Sequence, residues 1–120
     1  MTIDRHLADL RAALPGCALV AYGDLSAKLM LRTNADTAWP QEQLDALCKT
    51  AGARFDLAAA VSDAGPGPRH AVVMTARDTR VFVGSDSDDA DLLACVCHGA
   101  ADTEVILKHA TAALQDITGT

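Results

Sequence analysis

Over residues 3–14, Ile3, Leu7, Leu10 and Leu14 recur at helical spacing among polar neighbours, which predicts a first helix with one apolar stripe. Thr2 stands where a hydroxyl can cap its first turn, and Pro15-Gly16 ends the pattern. The period then changes. "CALVAY", residues 17–22, is apolar at odd and even positions alike, whereas "AKLMLRT", residues 27–33, alternates Leu29 and Leu31 with Lys28 and Arg32. With Gly23-Asp24 between them, the two runs predict a hairpin. Trp39-Pro40 opens a second helix, since proline suits a first turn where its missing N–H needs no partner. Leu44, Leu47, Cys48, Ala51, Phe55, Ala58 and Val61 then follow one stripe. Gly52 lies off that stripe and, at about 1 kcal/mol relative to alanine, marks a weak point in this helix.

"DAGPGP", residues 63–68, cannot continue a helix and is expected to be a surface loop. Three strand-like runs follow, "HAVVMTA" (70–76), "RVFVG" (80–84) and "LLACVCH" (92–98), separated by "RDT" and by the acidic "SDSDDAD". A last helix starts near Asp102 or Thr103, either of which can cap it, and carries Ile106, Ala110, Ala113 and Ile117 on one face. The predicted order is α-β-β-α-β-β-β-α, an α+β pattern. No repeat or change of composition divides it, and 120 residues fit a single domain spanning 1–120 around one core.

Alternate side chains of a strand point to opposite faces. Leu93, Cys95 and Cys97 therefore share one side of their run, while Leu92, Ala94, Val96 and His98 share the other. A strand apolar on both faces belongs inside a sheet covered on both sides, and "CALVAY" falls under the same rule. The half-polar second strand suits an edge.

Composition narrows the function. Half of the residues are hydrophobic, yet only Tyr22, Trp39, Phe55 and Phe82 are aromatic, so Leu, Val and Ala must fill the core. Sixteen acidic against ten basic residues give a net charge of −6, which repels phosphate backbones, and the aromatic platforms that single strands stack on are missing too. No nucleic-acid partner is expected. The N-terminus, with Asp4 and His6, does not read as an export signal, and the longest apolar runs, such as 57–61, are far below the roughly twenty residues of a membrane helix. No membrane insertion is expected. A cytoplasmic chain follows, with Cys17, Cys48, Cys95 and Cys97 kept as thiols.

Several motifs invite a chemical reading. Cys95, Cys97 and His98 suggest a metal or redox site, but a regular strand turns His98 away from the sulfurs, and C-x-C is not the C-x-x-C redox arrangement. Cysteine is among the most often buried residues, so packing is the preferred account, with a thiol or metal-binding protein as the alternative. Cys17 or Cys48 would complete a site only if the fold brought one of them close. Asp86, Asp88, Asp89 and Asp91 lack the glycine and glutamate of a calcium loop and are expected to form a solvated turn. "GPGP" has prolines where a phosphate cradle needs N–H donors, and Gly84-Ser85-Asp86-Ser87 lacks the second glycine of a nucleophile elbow. His6, His70 and His109 have no nucleophile beside them in sequence. No catalytic residue, metal or cofactor is assigned.

The element order, with "LPGCALVAYGDL" (14–25) leading from Pro15-Gly16 through an apolar strand to a tight turn, a long middle helix rich in small residues, a three-strand meander and a closing helix, resembles the roadblock / dynein light chain family. The resemblance covers nearly the whole chain. It implies a profilin-like, five-stranded antiparallel sheet in the order 2-1-5-4-3, with helix 2 on one face and helices 1 and 3 on the other. It also implies a non-enzymatic homodimer formed through helix 2 and the third strand, acting as a scaffold or regulator of a small Ras-like GTPase or a similar complex. The residues lend this some support: an edge strand bearing Val72, Val73 and Met74 would expose unpaired backbone beside apolar side chains, which pairing with a second copy would cover. Those three are the candidate dimer contacts. The competing function is a small-ligand sensor of related fold, which requires a sizeable internal pocket.

Overall fold

A computed structural model describes residues 2–61, 69–85, 90–99 and 101–119. Its elements are α1 (Ile3–Ala13), β1 (Cys17–Asp24), β2 (Leu29–Ala35), α2 (Gln41–Val61), β3 (Arg69–Met74), β4 (Asp78–Gly84), β5 (Asp91–His98) and α3 (Thr103–Thr118). The strands form one antiparallel sheet in the order β2-β1-β5-β4-β3. β1 and β5, apolar on both parities, occupy its interior as their patterns require.

Each face of the sheet carries its own apolar layer. Leu7 and Leu10 from α1, Leu14 just after it, and Ile106, Ala110 and Leu114 from α3 meet Cys17, Val20, Val81, Val83, Leu93, Cys95 and Cys97 on one side. Leu44, Leu47, Cys48, Ala51 and Phe55 from α2 meet Leu19, Ala21, Met30, Phe82, Leu92, Ala94 and Val96 on the other. Fully burying each large apolar side chain stabilises the fold by roughly 1.5–3 kcal/mol. On α3 the buried stripe runs through Leu114, with Ala113 and Ile117 only half-buried beside it. The spacing 106, 110, 114 follows the helix more directly than the turn toward 113 and 117 that the sequence pattern offered.

The helix ends are set locally. Thr2 Oγ1 accepts from the Arg5 N–H, and the Asp102 carboxylate accepts from the N–H groups of Glu104 and Val105, so Asp102 rather than Thr103 is the cap of α3. Pro40 stands one residue ahead of α2, its carbonyl accepting from Gln43 and Leu44. α2 continues unbroken past Gly52, where an added Cβ would meet only Leu25 Cδ2 at 3.9 Å. Between α1 and β1, Gly16 takes φ +68°, a left-handed conformation open to glycine, and its carbonyl accepts from the His98 N–H at 2.9 Å.

The first hairpin differs from its sequence reading. Gly23 and Asp24 belong to β1, and the turn lies at residues 25–28, with Lys28 at φ +58°. Asp24 holds this turn, its carboxylate accepting from the Ser26 N–H and hydroxyl and from the Ala27 N–H. Those bonds, the Ser26 hydroxyl first, hold the Asp24 carboxyl below its ordinary pKa. Tyr22 pairs with Arg32 but Gly23 pairs with Met30, so Leu31 is an extra residue and the strand bulges there. The bulge reverses the expected alternation: Met30 is buried against α2, and Leu29 and Leu31 are exposed. Residues 63–68 and the acidic residues 86–89 lie outside the described residues. No helix among the described residues is long and apolar enough to cross a membrane.

Two predictions follow from the bulge and the strand beside it. At Gly23 a Cβ would lie 2.6 Å from Met30 Sδ and 2.7 Å from the Leu29 carbonyl. Gly23→Ala is expected to cost roughly 1–3 kcal/mol in urea unfolding, and an unchanged midpoint would contradict the packing. Tyr22 donates to Asp91 Oδ1 at 2.5 Å, and partial burial together with that carboxylate pushes its phenol up to about 12. Because the folded pKa is raised, this contribution to stability is complete below the unfolded value near 10 and is lost as pH rises toward 12. Tyr22 is the only tyrosine, so alkaline titration of the phenolate absorbance reads this group directly.

Candidate interaction surface

The two edges of the sheet are finished differently. β2 is bulged at Leu31, and Asn34 in it accepts from the α1 residue Arg11 at 2.7 Å. Arg32 donates to Asp4 of α1 at 3.3 Å, in an exposed ion pair of little energetic weight. β3, at the opposite edge, pairs with β4 from Arg69↔Gly84 to Met74↔Thr79 without a register shift. One side of a regular, six-residue strand therefore presents its backbone N–H and C=O groups outward. Regular edges of this kind are templates for a further strand.

Side chains of β3 alternate strictly. Ala71 and Val73 pack into the layer under α2, while Val72 and Met74 turn to the opposite face and are 37% and 69% exposed. The three candidate contacts are thus divided: Val72 and Met74 lie open, and Val73 helps to hold β3 on α2.

α2 supplies a second uncovered region. Its buried stripe ends at Phe55, whose ring lies against Gly84 at the end of β4 and beneath the Arg69 guanidinium, 5.0 Å from the ring centroid. Residues 56–61, "DLAAAV", remain helical and every one is exposed, with Leu57 at 58% and Val61 at 77%. Ala58 and Val61 therefore do not extend the inward stripe. This region was missed in the sequence, although 57–61 is apolar in every position and no helix can turn five consecutive residues inward.

The other candidates separate. Cys95 and Cys97 are buried in the layer beneath α1 and α3, Cys48 lies in the layer beneath α2, and His98 is an exposed residue ending β5. Burial, with the nearby Asp45 and Asp24 charges, pushes the Cys48 thiol up. His6 and His109 face one another across a groove of about 310 Å³ between α1 and α3, together with Asp9 and Asp116, and His70 is exposed on β3. Among the described residues no three His, Cys, Asp or Glu side chains come together as a metal would require. Two hollows of about 250 and 160 Å³ share Trp39 and Gln43, both small beside the 300–1,000 Å³ common for ligand pockets.

Solved structures of similar fold match nearly the whole chain. A Roadblock/LC7 domain from Streptomyces avermitilis is 15% identical, with 97% of this chain and 94% of that one covered and a TM-score of 0.73. MglB from Myxococcus xanthus is 12% identical, with 98% and 92% covered and a TM-score of 0.76. An MglB described with a tetrameric arrangement is 15% identical, with 98% and 85% covered and a TM-score of 0.73. The fold is roadblock-like, as the element order implied. No family model and no curated protein matches the sequence.

The division within β3 has a measurable consequence. Val73→Ala is expected to cost roughly 1 kcal/mol by removing methyl groups packed under α2. Met74→Ala should stay within about 0.5 kcal/mol when urea unfolding is followed at the lowest practical protein concentration. Equal losses would mean that β3 is seated differently.

Proposed function

We propose that this protein is a non-catalytic interaction module that works as a homodimer, pairing through the 56–61 end of α2 and the outer side of β3, and serves as a scaffold or regulator of a small Ras-like GTPase or similar complex. The observation that carries this reading is the concentration of uncovered apolar surface beside the one regular sheet edge. An isolated chain gains nothing from extending "DLAAAV" beyond its own core. A symmetric partner that presented the same two features would cover both. The tetrameric arrangement described for one MglB of the same fold agrees with assembly from such surfaces. The GTPase is what the roadblock resemblance implies. The four free cysteines agree with a reducing compartment, and we place the chain in the cytoplasm.

Light scattering at micromolar concentration should return the mass of two chains. The double variant Leu57→Asp, Val61→Asp should return one, with an unchanged far-UV spectrum because neither side chain is part of the core. A monomeric native protein would end the proposal. Affinity capture of the native protein followed by identification of bound species tests the partner: a Ras-like GTPase retained by the native chain supports the role, and a stoichiometric small metabolite in its place would assign the protein to ligand sensing.

A further inference from the structure

β1 and β5 bring together two thiols that lie far apart in the chain. Cys17 and Cys97 are direct partners in the antiparallel register, one residue inside the point where the His98 N–H donates to the Gly16 carbonyl. Gly16 and His98 thus form a hydrogen-bonded position, and the next pair inward, Cys17 and Cys97, is a non-hydrogen-bonded one. At such positions Cα atoms approach to about 4.5 Å and side chains stand closest, which falls inside the roughly 4.4–6.8 Å range that disulfides span. Both side chains point into the layer beneath α1 and α3. The third thiol of that layer, Cys95, sits opposite Val20 and Val81 and has no cysteine across from it.

We propose that Cys17 and Cys97 form an oxidation site, a dithiol that a small neutral peroxide converts to an intramolecular disulfide joining the two central strands. The Cys17 thiol donates to the Leu19 carbonyl at 3.4 Å, with Cys97 directly across the strand pair from it. Its interaction with Cys97, reinforced by burial, holds the proton on Cys17, and the same contact pulls the Cys97 thiol below its ordinary value against the opposing effect of burial. Of the two, Cys97 is the sulfur whose proton loss this contact favours. Burial first, and the Cys97 charge second, raise the Cys95 thiol, and no sulfur stands across the strands from it.

The chemistry balances without another reagent. The Cys97 thiolate attacks one peroxide oxygen; an S–O bond forms, the O–O bond breaks, and hydroxide leaves to take up the proton Cys97 released. The Cys17 sulfur then attacks the Cys97 sulfenic acid; the S–S bond forms, the S–O bond breaks, and the oxygen leaves as water with the Cys17 proton. Two thiols lose two electrons, and one hydrogen peroxide becomes two waters. Cys17 is 7% exposed where Cys95 and Cys97 show no exposure, so a small neutral oxidant reaches the pair past Cys17 at the start of β1.

The test treats the reduced, folded full chain with hydrogen peroxide, blocks remaining thiols under denaturing conditions and maps the peptides. The expected product is a chain with no covalent link to another, lighter by two hydrogens, with the Cys17 peptide linked to that of Cys97, reversed by dithiothreitol. Cys95→Ala must still form the link. Cys17→Ala and Cys17→Ser must not, and Cys17→Ser, which keeps a hydroxyl donor beside Cys97, should leave Cys97 trapped as a sulfenic acid that a dimedone probe marks. The oxidised native chain should melt at higher temperature than the reduced one, a shift absent from the Cys17 variants. Full alkylation of both cysteines after peroxide, a link through Cys95 or Cys48, or a link only between chains would overturn the assignment.

Discussion

The structure depends on the burial of β1 and β5 on both faces. Leu19 and Ala21 project to one side of β1 and Cys17 and Val20 to the other; on β5, Leu92, Ala94 and Val96 oppose Leu93, Cys95 and Cys97. Neither strand can lie at an edge or leave a face to water without exposing a continuous apolar row. Two layers of helix are therefore required. The less apolar strands are left to flank the centre, and the antiparallel order β2-β1-β5-β4-β3 meets that requirement.

That constraint ends where the sheet ends, and there the two sides of the molecule diverge. At β2 the bulge at Leu31 and the contacts from Arg11 and Arg32 to Asn34 and Asp4 tie the edge to the rest of the chain. At β3 the pairing stays regular, Val72 and Met74 lie outside the layer formed by α1 and α3, and α2 continues past Phe55 with every residue exposed. Local stability does not call for six further helical residues without a single buried side chain, since isolated helical turns gain little in water. Under the proposed pairing, a second molecule would supply the contacts they lack.

What was legible in the sequence was whatever depends on period. The double-faced runs "CALVAY" and "LLACVC" identified the central strands, and the stripes of Leu7, Leu10 and Leu44, Leu47, Ala51 identified inward helix faces, because burial acts on each residue through its own position in the pattern. Features that depend on two segments at once were not legible. The bulge at Leu31 is set by Gly23, whose missing side chain admits Met30, and a strict alternation of Leu29 and Leu31 concealed it. The end of the α2 stripe at Phe55 depends on where β4 stops. Among the candidate contacts, the separation of Val73 from Val72 and Met74 required knowing which face α2 covers. The pairing of Cys17 with Cys97 likewise comes from register, in which a shift of one residue would have sent the two sulfurs to opposite faces.

Register also decides between two roles for the same buried sulfur. Cys95 has Val20 and Val81 across from it and Cys48 donates to the Asp24 carbonyl, and burial, the first cause of each shift, keeps them as thiols that pack like small hydrophobes. Cys17 and Cys97 are equally suited to fill space, but adjacency makes a bond available to them that the other two lack. In the chain-entropy account, a disulfide that closes the long segment between β1 and β5 stabilises by roughly 4–5 kcal/mol, comparable to the whole stability of a small domain. The bond would join strands already held side by side by the sheet, so native geometry changes little and the effect falls mainly on the unfolded chain. Packing and covalent closure thus act on the same pair of strands, the first by removing apolar surface from water and the second by removing the disorder that opposes it.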